Sequence, residues 1–285
     1  MQFLKKIKNS CWWLVAVSLV AVMLCGCSAQ DAALVQDHPS ELTPQIAVTK
    51  ADTATGNNDA VVVDLDTASD LYKITEPGWY YLSGALEGTI EIDAEDQVVH
   101  LILGGVDVKS VSGPALQVTS AGKVILTLQE GTENTFRDSA SYPKGSDMDA
   151  CIYSTCDLTI NGAGTLNVSG YYQDAIHTKD VLKVLGGTVF TQAKQDGMQG
   201  NDGILVTCQS LTVQSERNGL YTTKVGKPAK GNVEIYGGDH SVIAGGYGIS
   251  AAADLYVQDC QLYIMGVLDT YQVAGNAFVA EEPHA

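Results

Sequence analysis

Positively charged residues are scarce in this sequence of 285 residues. It contains 16 Lys and Arg against 33 Asp and Glu, so its formal net charge is −17. A surface this acidic repels nucleic acid and anionic lipid, and we expect neither as a direct partner. The same surface is suited to binding hard cations.

Long hydrophobic runs are also scarce. The apolar run 12–24 follows three lysines in the first eight residues and is short for a membrane span. These features predict a signal peptide over residues 1–26. Gly26 before Cys27, with Leu24 two positions further back, resembles the lipobox of bacterial lipoproteins, and an ordinary secretory signal is the alternative. We expect an exported protein, held at the outer face of the cytoplasmic membrane only by a lipid on Cys27.

Cysteines are few in the rest of the chain, and their spacing matches no zinc-binding pattern. They are Cys151, Cys156, Cys208 and Cys260. The turn spacing described below places Cys208 and Cys260 about two turns apart, beyond disulfide reach at roughly 4.8 Å a turn. Buried free thiols are therefore expected.

Helical periodicity is absent throughout. Residues 27–60 are mostly polar and show no period, which is typical of a flexible tether. From Val61 onward, short β-rich runs such as 98–103 and 123–128 alternate with Gly and Asp. The sequence predicts one all-β domain over residues 61–285.

A spacing of 22 residues indicates how the strands are arranged. Segments 175–180, 197–202 and 219–224 are equivalent to one another. One apolar column with similar spacing contains Leu158, Leu182, Ile204, Val233 and Leu255. Such constant spacing places each side chain above its equivalent in the previous turn. The turns must stack in this way because no single turn can bury its own apolar face. The sequence therefore predicts a parallel β-helix with turns of about 22 residues, rather than a β-sandwich with variable strand spacing.

Acidic residues follow the same register. Asp174, Asp196 and Asn218 form one column, and Asp180 and Asp202 form a second. Stacked carboxylates about 4.8 Å apart would repel each other unless a cation lay between them. Calcium accepts six to eight oxygen ligands, so these columns predict calcium sites. The alternative is an acidic edge exposed to solvent.

Lys224 comes next in the second column, where a salt bridge is the favoured interpretation and a catalytic base is the alternative.

Beside these columns runs a line of aromatic and hydrogen-bonding residues. Its members are Tyr153, His177, Gln199, Tyr221 and Ser250. Each follows an inward apolar residue and should therefore point outward. The line is a candidate platform for an extended sugar chain, and scattered surface residues are the alternative.

Several motifs together resemble the carbohydrate-binding β-helix proteins of Gram-positive cell surfaces. The motifs are residues 78–84, 126–135, 157–166, 174–180 and 196–202, and the resemblance covers residues 78–266. It implies a single-stranded, right-handed parallel β-helix similar to pectate lyases. It also implies calcium binding through the aspartates of the turns, and affinity for cellulose and for acidic polysaccharide such as polygalacturonate.

Three functions are compatible with these features. The first is a non-catalytic, calcium-dependent carbohydrate-binding surface lipoprotein. The second is a calcium-dependent polysaccharide lyase, which needs a basic side chain beside the metal, such as Lys179, Lys194 or Lys224. The third is a structural adhesin with a protein partner. We expect the first, with Ca²⁺ as cofactor and polysaccharide as partner.

Overall fold

The protein, a computed structural model, is described over residues 43–279. Its helical elements in that range are α1 (Lys50–Thr53) and one turn of 3-10 helix (Leu65–Thr67). None of the helices in residues 43–279 is long and apolar enough to span a bilayer. The predicted signal peptide and Cys27 lie outside the described residues.

Twenty-five strands make up most of the described chain, as the all-β prediction requires. They are β1 (Val61–Asp64), β2 (Leu71–Ile74), β3 (Gly78–Leu86), β4 (Thr89–Asp93), β5 (Val98–Lys109), β6 (Leu116–Ser120), β7 (Lys123–Leu128), β8 (Glu133–Arg137), β9 (Ala150–Ser154), β10 (Asp157–Gly162), β11 (Thr165–Gly170), β12 (Asp174–Thr178), β13 (Val181–Val184), β14 (Thr188–Ala193), β15 (Met198–Gly200), β16 (Gly203–Val206), β17 (Ser210–Ser215), β18 (Leu220–Tyr221), β19 (Asn232–Tyr236), β20 (Asp239–Ala244), β21 (Tyr247–Ala251), β22 (Leu255–Gln258), β23 (Gln261–Gly266), β24 (Asp269–Val273) and β25 (Ala277–Val279).

The strands stack in parallel on three faces. Face 1 contains β2, β4, β6, β9, β12, β15, β18, β21 and β24. Face 2 contains β1, β3, β5, β7, β10, β13, β16, β19, β22 and β25. Face 3 contains β8, β11, β14, β17, β20 and β23, and the far end of β5 joins it to face 2. From β6 to β23, each turn contributes one strand to each face, which gives a β-helix-like fold.

The strand register follows the predicted spacing. Ile176 pairs with Met198, and Met198 pairs with Leu220. The apolar side chains so aligned form one continuous core along the stack. Gly105 and Gly187, each the second residue of a Gly-Gly pair, have φ values of 92° and 78°, which residues with a Cβ rarely adopt.

Residues 43–58, which we call the N-terminal strap, lie on the outer side of face 2. The strap includes part of the predicted flexible tether 27–60, yet it makes buried contacts with the strands. Ile46 is 5% exposed, and its amide donates to Glu234 at 3.1 Å. Asp52 is fully buried and lies between Lys123 and Lys183, at 2.7 and 3.2 Å. These contacts differ from a free tether because the polar residues of the segment find partners on the sheet.

The four cysteines of the described chain carry free thiols, as predicted. Cys151, Cys156 and Cys208 are buried, and Cys260 is half-buried. Burial raises the pKa of Cys208 to about 12, so its thiol stays protonated and packs as an apolar group.

Candidate functional site

The line of aromatic and polar residues lies on the outer side of face 1. His177 pairs with Tyr153 and Gln199, and Gln199 pairs with Tyr221. They point away from the apolar core, as strand alternation predicts. The expectation of an exposed platform is wrong for four of them, since Tyr153, His177, Gln199 and Ser250 are 2%, 6%, 8% and 9% exposed. Tyr221 is half-buried.

A loop between β8 and β9 explains part of this burial. Its last residue, Asp149, places Oδ1 2.5 Å from Nδ1 of His177. The Nζ of Lys179 lies 5.8 Å from the ring centroid of Tyr153. The amide nitrogen of Gln199 lies 3.0 Å from Nε2 of His177, which leaves Nδ1 to donate to Asp149. Hydrogen bonds therefore fix the middle of the line, from Asp149 through His177 to Gln199.

Side chains of the first acidic column accept hydrogen bonds from backbone amides of the next turn. Asp174 Oδ1 accepts from the amide of Asp196, and Asp196 Oδ1 accepts from the amide of Asn218, both at 2.9 Å. Asn218 Oδ1 accepts from the amide of Tyr247 at 3.3 Å. Arg217 neutralises Asp196 through a two-pronged ion pair, with Nε 2.8 Å from Oδ1. This geometry disfavours an ion midway between Asp174 and Asp196, because backbone amides and Arg217 already occupy oxygens of both carboxylates.

The second acidic column is neutralised by lysines. Lys224 Nζ lies 3.1 Å from Asp202 Oδ1, which confirms the predicted salt bridge. Lys230, from the loop between β18 and β19, lies 2.6 Å from the other oxygen of Asp202. Burial, followed by the charge of Asp202, raises the pKa of Asp180. The two lysines reduce the need for a metal ion at Asp202.

Three potential metal ligands meet elsewhere on face 1. Ligand atoms of Asp149, Asp174 and His177 all lie within 4.8 Å of one another. Asp174 is 2% exposed, and its side chain accepts one hydrogen bond among the described residues, from Asp196. Burial, and secondly the charge of Asp196, raises the pKa of Asp174 to about 8. A cation between Asp149 and Asp174 would relieve the cost of burying this carboxylate.

A family profile of carbohydrate-binding domain-containing proteins matches residues 68–277. The chain belongs to this family. A carbohydrate-binding domain-containing protein of Acetivibrio thermocellus is 33% identical over 147 residues, which is 48% of this chain. The aligned part is 51% of that relative, so the chain spans about half its length.

A solved structure is similar to this carbohydrate-binding domain-containing protein over most of its length. It is the gadolinium derivative of the polysaccharide lyase-like protein from C. thermocellum. The TM-score is 0.71 with 26% sequence identity, over 78% of this chain and 96% of the other. The likeness supports the β-helix-like fold described above.

A buried acid in this family member holds the β8–β9 loop. Asp138 is 3% exposed and accepts from the hydroxyl of Tyr142 at 2.8 Å and from the amide of Tyr171 at 2.5 Å. The ring of Tyr142 stacks on Tyr172 with centroids 4.2 Å apart. Burial outweighs these hydrogen bonds and raises the pKa of Asp138 to about 6. Asp138 thereby positions the loop that carries Asp149.

Asp149, Arg217 and Lys230 were not predicted from the sequence. Asp149 and Lys230 lie in loops that interrupt the 22-residue register, so they have no equivalent in neighbouring turns. Arg217 does leave a signal, because the equivalent positions 22 and 44 residues earlier hold glutamine. A cation replacing glutamine beside an acidic column indicates a local ion pair.

Proposed function

We propose that this protein is a non-catalytic, calcium-dependent carbohydrate-binding protein for cellulose-like or acidic polysaccharide. It would be exported and anchored by a lipid on Cys27, and its domain would be a single-stranded, right-handed parallel β-helix. Membership of the carbohydrate-binding family is the observation that carries this proposal. The lysine-rich start, the apolar run and Gly26 before Cys27 support export and anchoring.

The donors that fit calcium best are Asp149 and Asp174. Both offer carboxylate oxygens, the ligands that calcium prefers. His177 beside them would better suit a transition metal, so the identity of the cation is part of the test. Asp180 remains a second candidate, whereas Asp196, Asp202 and Asn218 are engaged by the contacts already described. When bound, the ion would supply a positive charge for a uronate carboxylate.

Cationic side chains beside this cluster also favour an acidic ligand. The Arg217 side chain is 49% exposed, and its guanidinium carbon lies 5.7 Å from the ring centroid of Tyr221. Lys179 is exposed beside Tyr153. An acidic polymer would meet local positive charge here, although the protein as a whole is acidic. Tyr221 would then offer its ring to the sugar.

The lysines nearest the acidic columns favour binding over elimination. A lyase base must be neutral to remove the proton next to the uronate carboxylate. The hydrogen bond with Tyr153 raises the pKa of Lys179, so its ammonium group stays protonated. Lys224 is paired with Asp202, and Lys194 with Glu216. Lyase activity is the second candidate because the similar solved structure is that of a polysaccharide lyase-like protein.

Calcium should raise the melting temperature of the wild-type protein. At a calcium concentration about 100 times Kd, we expect a gain of roughly 5–10 °C over protein in excess chelator. Asp149→Asn should abolish most of this gain, whereas Asp147→Asn, at an exposed position of the same loop, should retain it. Differential scanning calorimetry with Ca²⁺, Mn²⁺ and Zn²⁺ measures the effect. Equal midpoints in calcium and chelator would contradict calcium dependence, and a larger gain with Zn²⁺ would reassign the metal.

Retention on polygalacturonate should depend on calcium and on Tyr221. We expect the wild type to bind in calcium and elute with chelator, and Tyr221→Ala to bind up to about tenfold more weakly. Tyr263→Ala removes an exposed tyrosine of face 3 and is the matched control. Affinity electrophoresis gives the ratio. A protein that binds neither polygalacturonate nor cellulose would refute the proposed function. Release of unsaturated uronate would establish the lyase instead.

A further inference from the structure

A second concave site lies on face 2, between the N-terminal strap and the strands. It is a cavity of about 630 Å³, which we call the strap pocket. Strap residues 55–58 form one side, and Tyr81, Gln129 and Glu130 contribute to the lining from the strands and corners of the fold. Cavities of this size bind small organic ligands or a few sugar units. The strap pocket is on a different face from the cluster of Asp149, Asp174 and His177.

The strap side of the pocket is held firmly. The side-chain amide of Asn161 donates to the carbonyls of Asp52 and Ala54, at 2.8 and 2.9 Å. Asp52 itself is fixed by Lys123 and Lys183. Residues 52–54, where the strap side of the pocket begins, are therefore positioned by buried hydrogen bonds before any ligand binds. Pre-formed sites lose less entropy on binding a ligand.

The position of Tyr81 in the pocket depends on a glycine. Its ring lies so close to Gly104 that a Cβ there would be 2.2 Å from the Tyr81 hydroxyl oxygen. The hydroxyl donates to Gln129 Oε1 at 2.9 Å, which fixes the ring. Small residues, Gly162, Ala163 and Gly186, line another part of the pocket. A fixed aromatic ring beside such small residues suits the apolar face of a sugar ring.

Polar groups at the pocket still have hydrogen-bonding capacity. Within residues 43–279, the Thr55 hydroxyl, the Asn58 amide and the Gln129 amide nitrogen have no hydrogen-bond partner. They offer both donors and acceptors, as sugar hydroxyls require. The charged side chains among the described lining residues are Asp52, already neutralised, and Glu130. A lining with an acid and no basic residue disfavours an anionic ligand.

We infer that the strap pocket binds a neutral, hydroxyl-rich saccharide, with Tyr81 as the stacking residue and the N-terminal strap as one wall. This inference rests on the proposed carbohydrate-binding function and assigns to it a second site. Acidic polysaccharide would bind on face 1, at the cluster of Asp149, Asp174 and His177, and neutral glycan would bind on face 2. The two ligand classes would then bind independently of each other.

Calorimetric titration with cellotetraose tests the inference on the mature chain. The wild type should bind this neutral probe, and Tyr81→Ala should raise its Kd by about tenfold or more. Thr55→Trp, an exposed change that fills the pocket from the strap, should abolish binding even if Tyr81→Ala folds poorly. Tyr263→Ala should bind cellotetraose within about twofold of the wild type, and Tyr81→Ala should still bind polygalacturonate in calcium.

The outcomes separate this inference from the proposed function. Binding of polygalacturonate without binding of cellotetraose overturns the strap pocket but leaves the proposed function. Equal cellotetraose affinity in the wild type and in Thr55→Trp also overturns the pocket, because it places the neutral glycan elsewhere. Binding of neither ligand overturns both proposals.

Discussion

Replacing Asp52 with alanine should lower the free energy of unfolding by about 3 kcal/mol, the low end for breaking a buried ion pair. Asp52 is fully buried and accepts from Lys123, Lys183 and Thr159. Burial alone would raise its pKa, but the hydrogen bonds from Lys123, Thr49 and Thr159 outweigh burial and lower the pKa well below the usual value. Without the carboxylate, two ammonium groups would lie beneath the strap unpaired, except for Asp157 at 3.8 Å from each.

The strap should detach in this variant, because release lets Lys183 reach water. Urea denaturation gives the loss of stability, and trypsin cleavage at Lys50, within α1, reports detachment. Asp59→Ala is the control, since Asp59 is exposed and only its backbone amide makes a hydrogen bond, to Asn57. Wild-type stability and wild-type cleavage in Asp52→Ala would mean that the strap is not held by this carboxylate.

Asp138→Asn should change the pH dependence of stability. In the folded protein, burial raises the pKa of Asp138 from 3.8 to about 6, so the folded state binds this proton more tightly. The stabilisation is fully present below about pH 4 and is lost as the pH rises through 6. At about 1.36 kcal/mol per pKa unit, the loss is roughly 3 kcal/mol. Asparagine cannot ionise and still offers an oxygen to the amide of Tyr171.

The stability of Asp138→Asn relative to the wild type should therefore increase by roughly 2–3 kcal/mol between about pH 4 and pH 8. Urea denaturation of both proteins across this range, in chelator, gives the difference. Asp147→Asn, at an exposed position of the same loop, should show no comparable change. A difference that stays constant with pH would show that Asp138 is not titrating against its burial.

The stacking of strands was predictable from sequence because it depends on what each turn shares with the next. Leu158, Leu182 and Ile204 occupy equivalent positions, and the structure pairs them in that order. The strap was not predictable in the same way. Ile46 and Asp52 belong to a polar segment without a period, and their partners lie between 70 and 190 residues away along the chain. A long-range contact that occurs in only one turn produces no repeating pattern in the sequence.

The same distinction holds for the candidate site. The alignment of His177 with Tyr153 and of Asp174 with Asp196 followed from spacing. Exposure did not, because the β8–β9 loop covers part of the line and loops do not obey the register. The charge balance of the columns also depends on residues that occur in only one turn. Arg217 neutralises Asp196, so stacked aspartates do not by themselves imply a bound ion.

The register of the stack sets the unit in which this chain can change length. Val181 pairs with Gly203, so excision of residues 181–202 would join positions that already have the same neighbours above and below. An excision of half that length would instead bring a strand of one face to the corner of another. The corner at residues 222–231 absorbs extra residues, while Val233 still pairs with Ile204. Natural variants should therefore differ by whole turns or by corner insertions, and the length of a polysaccharide that one molecule spans could be adjusted one turn at a time.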